Sequence, residues 1–245
     1  DQLYDAVKDF DLTLATTTKS ERKSAPVHPG AELFYDGTDW RVIKVEDKGA
    51  VGKEAACFYG GNNQETRWCT SAPGLSWFNN YIKDGPLYVV YNPNDPKISP
   101  QTGLPIERYQ FHFPSNQFMD KDDRSVNLVD LLNGPMAELK QYFKPEFAKG
   151  LTAGSGKDLK IDGFGSGSVG KFVGLYGLEE LFNSLPDSLE QIKIKNKDNA
   201  GTIINIPPSI TRFQNLKHLV LVNCINTVPD YICQLDNLNI LGVMS

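Results

Sequence analysis

Residues 215–245 read NLKHLVLVNCINTVPDYICQLDNLNILGVMS. Shifted by 22 residues, this stretch repeats itself: Leu216, Leu219 and Leu221 fall on Leu238, Leu241 and Val243. The same shift carries Ile206 and Pro207 onto Val228 and Pro229, Ile210 onto Ile232, and Phe213 onto Leu235. An earlier turn puts Leu189, Ile192 and Ile194 in the same roles, with roughly five extra residues near KDNAG. Apolar residues two apart share one face of a short strand. A single such turn cannot bury its own apolar face, so stacked turns bury one another's.

This LxxLxL pattern with an IPxxIxxLxxL return resembles the leucine-rich repeat family. The resemblance covers roughly the last quarter to third of the chain and implies short parallel strands and a surface for binding proteins. The outward strand positions are then Gln191, Lys193 and Lys195, next His218, Val220 and Val222, and last Ile240, Gly242 and Met244. Of these, Lys193, Lys195, His218, Val220, Val222, Ile240 and Met244 are the expected partner-binding residues. Cys224 takes the place where the family often has an inward Asn or Cys, whereas the earlier turn departs from the pattern with Lys197 there. The chain opens on Asp1 and stops inside a repeat at LNILGVMS. Both features raise the expectation of a piece of a larger polypeptide or assembly, in which more protein or a neighbouring subunit covers the apolar last strand.

Composition agrees with a folded chain: of 245 residues, 40% are hydrophobic and 22% charged. A formal net charge of -5 argues against wholesale attraction to nucleic acid, so none is expected as a partner. The sequence has no apolar run of about 20 residues, so no membrane partner is expected either. Its four cysteines form no CxxC pair, and neither a disulfide framework nor a metal site is expected. Nothing calls for a cofactor.

The expected class is α+β: a mixed domain with a small, mostly antiparallel sheet, followed by a short solenoid of parallel strands. Residues 1–30 read as an extended arm or linker, 31–149 as the α+β domain, 150–170 as a Gly/Ser-rich connector, and 171–245 as the repeats, incomplete at the C-terminus. Within the first domain, Asp36 and Gly37 mark a hairpin, GKEAACFYGG a short helix stopped by Gly60 and Gly61, and PLYVVYN a strand. RYQFHF alternates, placing Tyr109, Phe111 and Phe113 on one face, with Gln110 and His112 facing solvent or a pocket. Residues 127–147 read as helix interrupted at Gly134 and Pro135.

YGGNNQETRWCTS, residues 59–71, poses the question of chemistry. With the following F-x-x-Y-x-x-x-G-P-L-Y, Y-Q-F-H-F and F-M-D segments, its T-x-W-C-T looks like a domain of proteins encoded by tailed bacteriophages. That resemblance implies a context and no mechanism. An enzymatic reading makes Cys69 the nucleophile, His112 its base and Asp120 the orienting acid, with Arg67 lowering the thiol pKa or holding an anion. A structural reading packs Trp68 and Cys69 into a core and pairs Arg67 with Glu65 or Asp120. GSGSVGKF, residues 165–172, matches GxxxxGK but has Phe172 where a phosphate loop needs Ser or Thr. Gly165, Gly167 and Gly170 also fit GxGxxG, without a convincing buried strand before them. YNPNDP and MDKDD are oxygen-rich but lack calcium-loop spacing.

The expected function is therefore a phage-encoded structural or protein-interaction component, in the virion or host cytoplasm, binding a protein partner or neighbouring subunits through the repeat face and exposed edge. The alternative is a cysteine-dependent hydrolase or transferase using Cys69 and His112, with the repeats selecting its substrate.

Overall fold

A computed structural model of the chain describes residues 26–74, 76–154, 157–163, 167–196, 204–224 and 227–244. Most of the expected arm, the KDNAG insertion with Lys197, and Gly165 lie outside the described residues. The chain divides into two units: one reaches Leu128 and adds Met136–Leu139, and the other takes Val129–Pro135 and everything from Lys140 onward. The division therefore falls earlier than the sequence reading placed it.

The first unit is built on an antiparallel sheet in sequence order, β1 (Ala31–Asp36), β2 (Arg41–Val45), β3 (Leu87–Tyr91), β4 (Arg108–His112) and β5 (Gln117–Met119). Asp36 pairs with Arg41 across the Gly37 turn, where the Gly37 N–H donates to the Trp40 carbonyl. Every residue of β3 is buried, because both faces of the sheet are covered. On one face Val45, Leu87, Val89 and Tyr91 join a core with Ala55, Phe58 and Tyr59 of α1 (Ala50–Tyr59) and Phe78 of α2 (Trp77–Ile82). On the other, Tyr88, Phe111, Phe113 and Phe118 meet edge-on, with ring centroids 5.3–5.6 Å apart. Gln110 pairs with Val89, so Gln110 and His112 lie on the helix-covered face and are buried. The expectation that they face solvent or a pocket is corrected: alternation assigns the faces of a strand but not what covers them.

The second unit carries a parallel sheet, also in sequence order: β6 (Asp158–Asp162), β7 (Gln191–Lys195), β8 (His218–Val222) and β9 (Ile240–Met244). Its helices are α3 (Leu128–Asn133), which straddles the division, α4 (Lys140–Gly154), and α5 (Gly167–Ser184) between β6 and β7. The span read as a connector thus holds the end of α4, a strand and the start of α5. DLKID forms β6, which needs only one apolar face because the outward face of this sheet is not covered: Leu159 and Ile161 point inward and its three charged residues outward, as in β7 beside it. The 22-residue shift reappears in the hydrogen bonds of the returns. Ile210 N–H donates to the Pro207 carbonyl and Ile232 N–H to Pro229, both at 3.1 Å. Phe213 and Leu235 then donate to Ile210 and Ile232, again both at 3.1 Å. Prolines suit these sites because their fixed φ begins a 3₁₀ turn without needing an N–H. Inward residues Ile192, Ile194, Leu219 and Leu221 are buried, as are Phe182 and Phe213, which meet edge-on at 5.6 Å. Cys224 is buried with its thiol against the Val222 and Ile194 carbonyls, and in the turn before it Asn196, beside Lys197, is buried.

Leu219→Ala, which empties a fully buried site, should lower stability by about 2–5 kcal/mol, whereas Val222→Ala on the outward face should cost less than about 1 kcal/mol. Urea unfolding of both variants measures the difference.

Candidate functional site

The corner formed by YGGNNQETRWCTS is held by hydrogen bonds within itself and to residues outside it. Gly60 is required there because a Cβ would lie 2.1 Å from the Ser71 Cβ, and Gly61 follows at φ +67°. Thr66 Oγ1 donates to the Gly60 carbonyl at 2.7 Å, and Ser71 Oγ to the Trp68 carbonyl at 2.9 Å. Trp68 is buried, and its indole N–H donates to the Asp120 carbonyl at 2.6 Å. The strongest polar feature is the ion pair between Arg108 and Glu65. Arg108 also donates to the Tyr59 carbonyl at 2.7 Å, while the Ser99 and Thr102 hydroxyls donate to Glu65. Glu65 is therefore Arg108's partner, and the expected pairing of Arg67 with Glu65 or Asp120 is corrected: among the described residues Arg67 forms an ion pair with neither.

Among the described residues no hydrogen bond joins Cys69 to His112 or His112 to Asp120. His112 Nδ1 sits 2.6 Å from Ser115 Oγ, and its ring lies edge-on to Tyr81 at 5.2 Å. Burial lowers its pKa, with the backbone at Gly85 and Tyr81 and the Asp84 charge acting in the opposite direction. Asp120 Oδ1 accepts the Asp122 and Arg124 N–H groups at 2.9 Å, a turn-forming role. Arg67 is exposed, and its backbone N–H donates to the Lys121 carbonyl. Burial and the Asp123 carboxylate push the half-buried Cys69 thiol up, away from the thiolate a nucleophile needs. The oxygens of YNPNDP are likewise committed, Asn92 Oδ1 and Asp95 Oδ1 each accepting a nearby backbone N–H at 2.8 Å. In the GxxxxGK segment, Phe172 is fully buried where a phosphate loop needs a hydroxyl.

A cleft of about 390 Å³ opens beside α1, lined by His28, Lys53, Cys57, Phe58 and Asn62 among others. His28, expected in a linker, is 1% exposed and stacks on Phe58 at 5.7 Å. Its Nδ1 accepts the Gly30 N–H at 3.1 Å, which fixes the neutral tautomer with its proton on Nε2. Burial lowers its pKa to about 4.

The expected partner-binding residues do share one surface. Gln191, His218 and Ile240 pair across the strands, as do Lys193, Val220 and Gly242, and Lys195, Val222 and Met244. Sequence reasoning missed the first member of each row, which β6 supplies: Asp158, Lys160 and Asp162. The alternation within DLKID was the available signal. At the other end, Leu241 and Val243 are 41% exposed, although their counterparts Leu219 and Leu221 are buried. A cleft of about 670 Å³ runs there, lined by Val228, Ile232, Leu235, Leu238 and Leu241 among others.

Among the described residues no group of three His, Cys, Asp or Glu side chains is placed to hold a metal ion, and no helix is long and apolar enough to cross a membrane. Comparisons with protein-family models, with curated proteins and with solved structures each return no match to the chain.

Two outcomes follow from these geometries. Iodoacetamide at pH 7.5, mapped by mass spectrometry, should label exposed Cys233 at least about tenfold faster than Cys69; faster labelling of Cys69 would mean an activated thiolate. His28 binds its proton more weakly folded than unfolded, so the unfolded chain takes up more protons between pH 6.5 and about 4. The stability His28 contributes is present above pH 6.5 and is lost as pH falls, by about 2 kcal/mol between pH 7 and pH 4.5. Urea unfolding should show that increment in the wild type and lose it in His28→Asn.

Proposed function

We propose that this protein is a non-enzymatic protein-binding component, with a leucine-rich-repeat-like stack whose outward sheet face receives a partner chain. The observation that carries the reading is the outward face of β8 and β9. Val220 and Val222 are partly exposed there, and Ile240 and Met244 are about half exposed in the neighbouring rows. Apolar side chains set in register on an uncovered sheet face fit surface docking by another chain. The resemblance of residues 59–120 to phage-encoded domains supports a virion or the host cytoplasm as the setting. A cysteine-dependent enzyme draws less support, since the Cys69 thiol is raised by burial and His112 is engaged with Ser115.

Peroxide oxidation of the Met244 thioether, on the outward face, tests the proposal, read in the isolated chain and in the assembly recovered from its native source. Oxidation should slow by at least about tenfold in the assembly. Equal rates in both samples would remove the docking role of this face.

A further inference from the structure

The outward face of the parallel sheet changes character from one side to the other. Lys160 and Lys193 occupy directly paired positions on β6 and β7, and among the described residues neither has an acid partner. Like charges set directly opposite destabilise a sheet. Lys195 reaches Asp162 at 3.9 Å, and just before the strands Lys157 and Lys217 share the single carboxylate of Glu190. Counting the four strands and the residue before each, five lysines (157, 160, 193, 195, 217) stand against three carboxylates (158, 162, 190). This local excess of positive charge sits on a chain whose net charge is -5. The same rows then run into Val220, Val222, Ile240 and Met244, with no Asp, Glu, Lys or Arg on β8 or β9.

We infer that this face takes an acidic, apolar segment of a partner protein, with carboxylates over Lys160 and Lys193 and apolar side chains over Val220, Val222 and Ile240. The inference rests on the protein-binding reading above and adds the chemistry of the partner. The unpaired lysines supply the complementary charge, and a bound carboxylate relieves their mutual repulsion. The apolar half supplies area that leaves water on docking. A nucleic acid fits the surface less well, because Asp158 and Asp162 flank Lys160 on the same face and the apolar half offers a phosphate backbone nothing.

A library of random 12-residue peptides, selected on the immobilised full chain, tests this. Enriched peptides should combine Asp or Glu with Leu, Ile or Phe. The double variant Lys160→Glu/Lys193→Glu should weaken their binding by about tenfold or more, as should raising salt from 50 to 300 mM. Ile240→Asp/Met244→Asp, at two half-exposed sites that leave the core intact, should abolish it. Binding lost in the apolar variant but indifferent to the lysine variant would overturn the acidic partner and leave the protein-binding reading standing. If no selected peptide depends on Ile240 and Met244, that reading of the face fails and the inference falls with it. A single-stranded 20-nucleotide probe that binds, and is released by the lysine variant, would overturn the inference in favour of a nucleic acid.

Discussion

The buried ion pair between Arg108 and Glu65 is the constraint around which the first unit's corner is arranged. It ties together the carbonyl at the end of α1, the loop after Gly61, strand β4 and the turn carrying Ser99 and Thr102. The Arg108 side chain is fully buried, and removing its charge from water outweighs the help of Glu65, so its pKa is lowered. Such a pair contributes little net stability compared with an apolar replacement, but losing one partner generally costs about 3–5 kcal/mol. Its effect is to fix geometry: once Glu65 is drawn to Arg108, Thr66 caps the Gly60 carbonyl and Trp68 turns inward beneath Asp120. Cys69 is carried along at the rim of this corner. The motif that looked most like chemistry is organised by a neighbour outside it.

The second unit solves a different problem. Every strand of its parallel sheet offers one apolar face inward, and the proline-led returns bring the chain back so that the next strand can cover the last. Inward leucines and isoleucines are covered as far as β8, and the covering stops at β9. Outward positions have no such duty and are free to vary, from charged on β6 to apolar on β9. A surface that varies while its scaffold repeats is well suited to recognition.

Much of this was legible in the sequence. The 22-residue shift located β8, β9 and both returns, because a stack imposes the same spacing on every turn. Hairpin, α1 and β3 followed from turn chemistry, glycine stops and β-branched runs. The failures share a cause, which is that local pattern carries no information about what lies opposite. RYQFHF alternates, but only the fold reveals that helices cover the Gln110 and His112 face. DLKID has too few apolar residues for a strand buried on both faces, but one apolar face is all this sheet asks of a strand. Arg108 and Glu65 lie 43 positions apart, and no spacing rule joins them.

The sequential order of the parallel strands has one more consequence. Among the described residues each strand is bonded only to its sequence neighbours in the sheet, so β6 and β9 share no hydrogen bond and any coupling between them within the sheet passes through β7 and β8. A ligand gripping one strand would order the adjoining strands first and the far strand least. Recognition on this sheet would then be felt as graded stiffness, without any hinge.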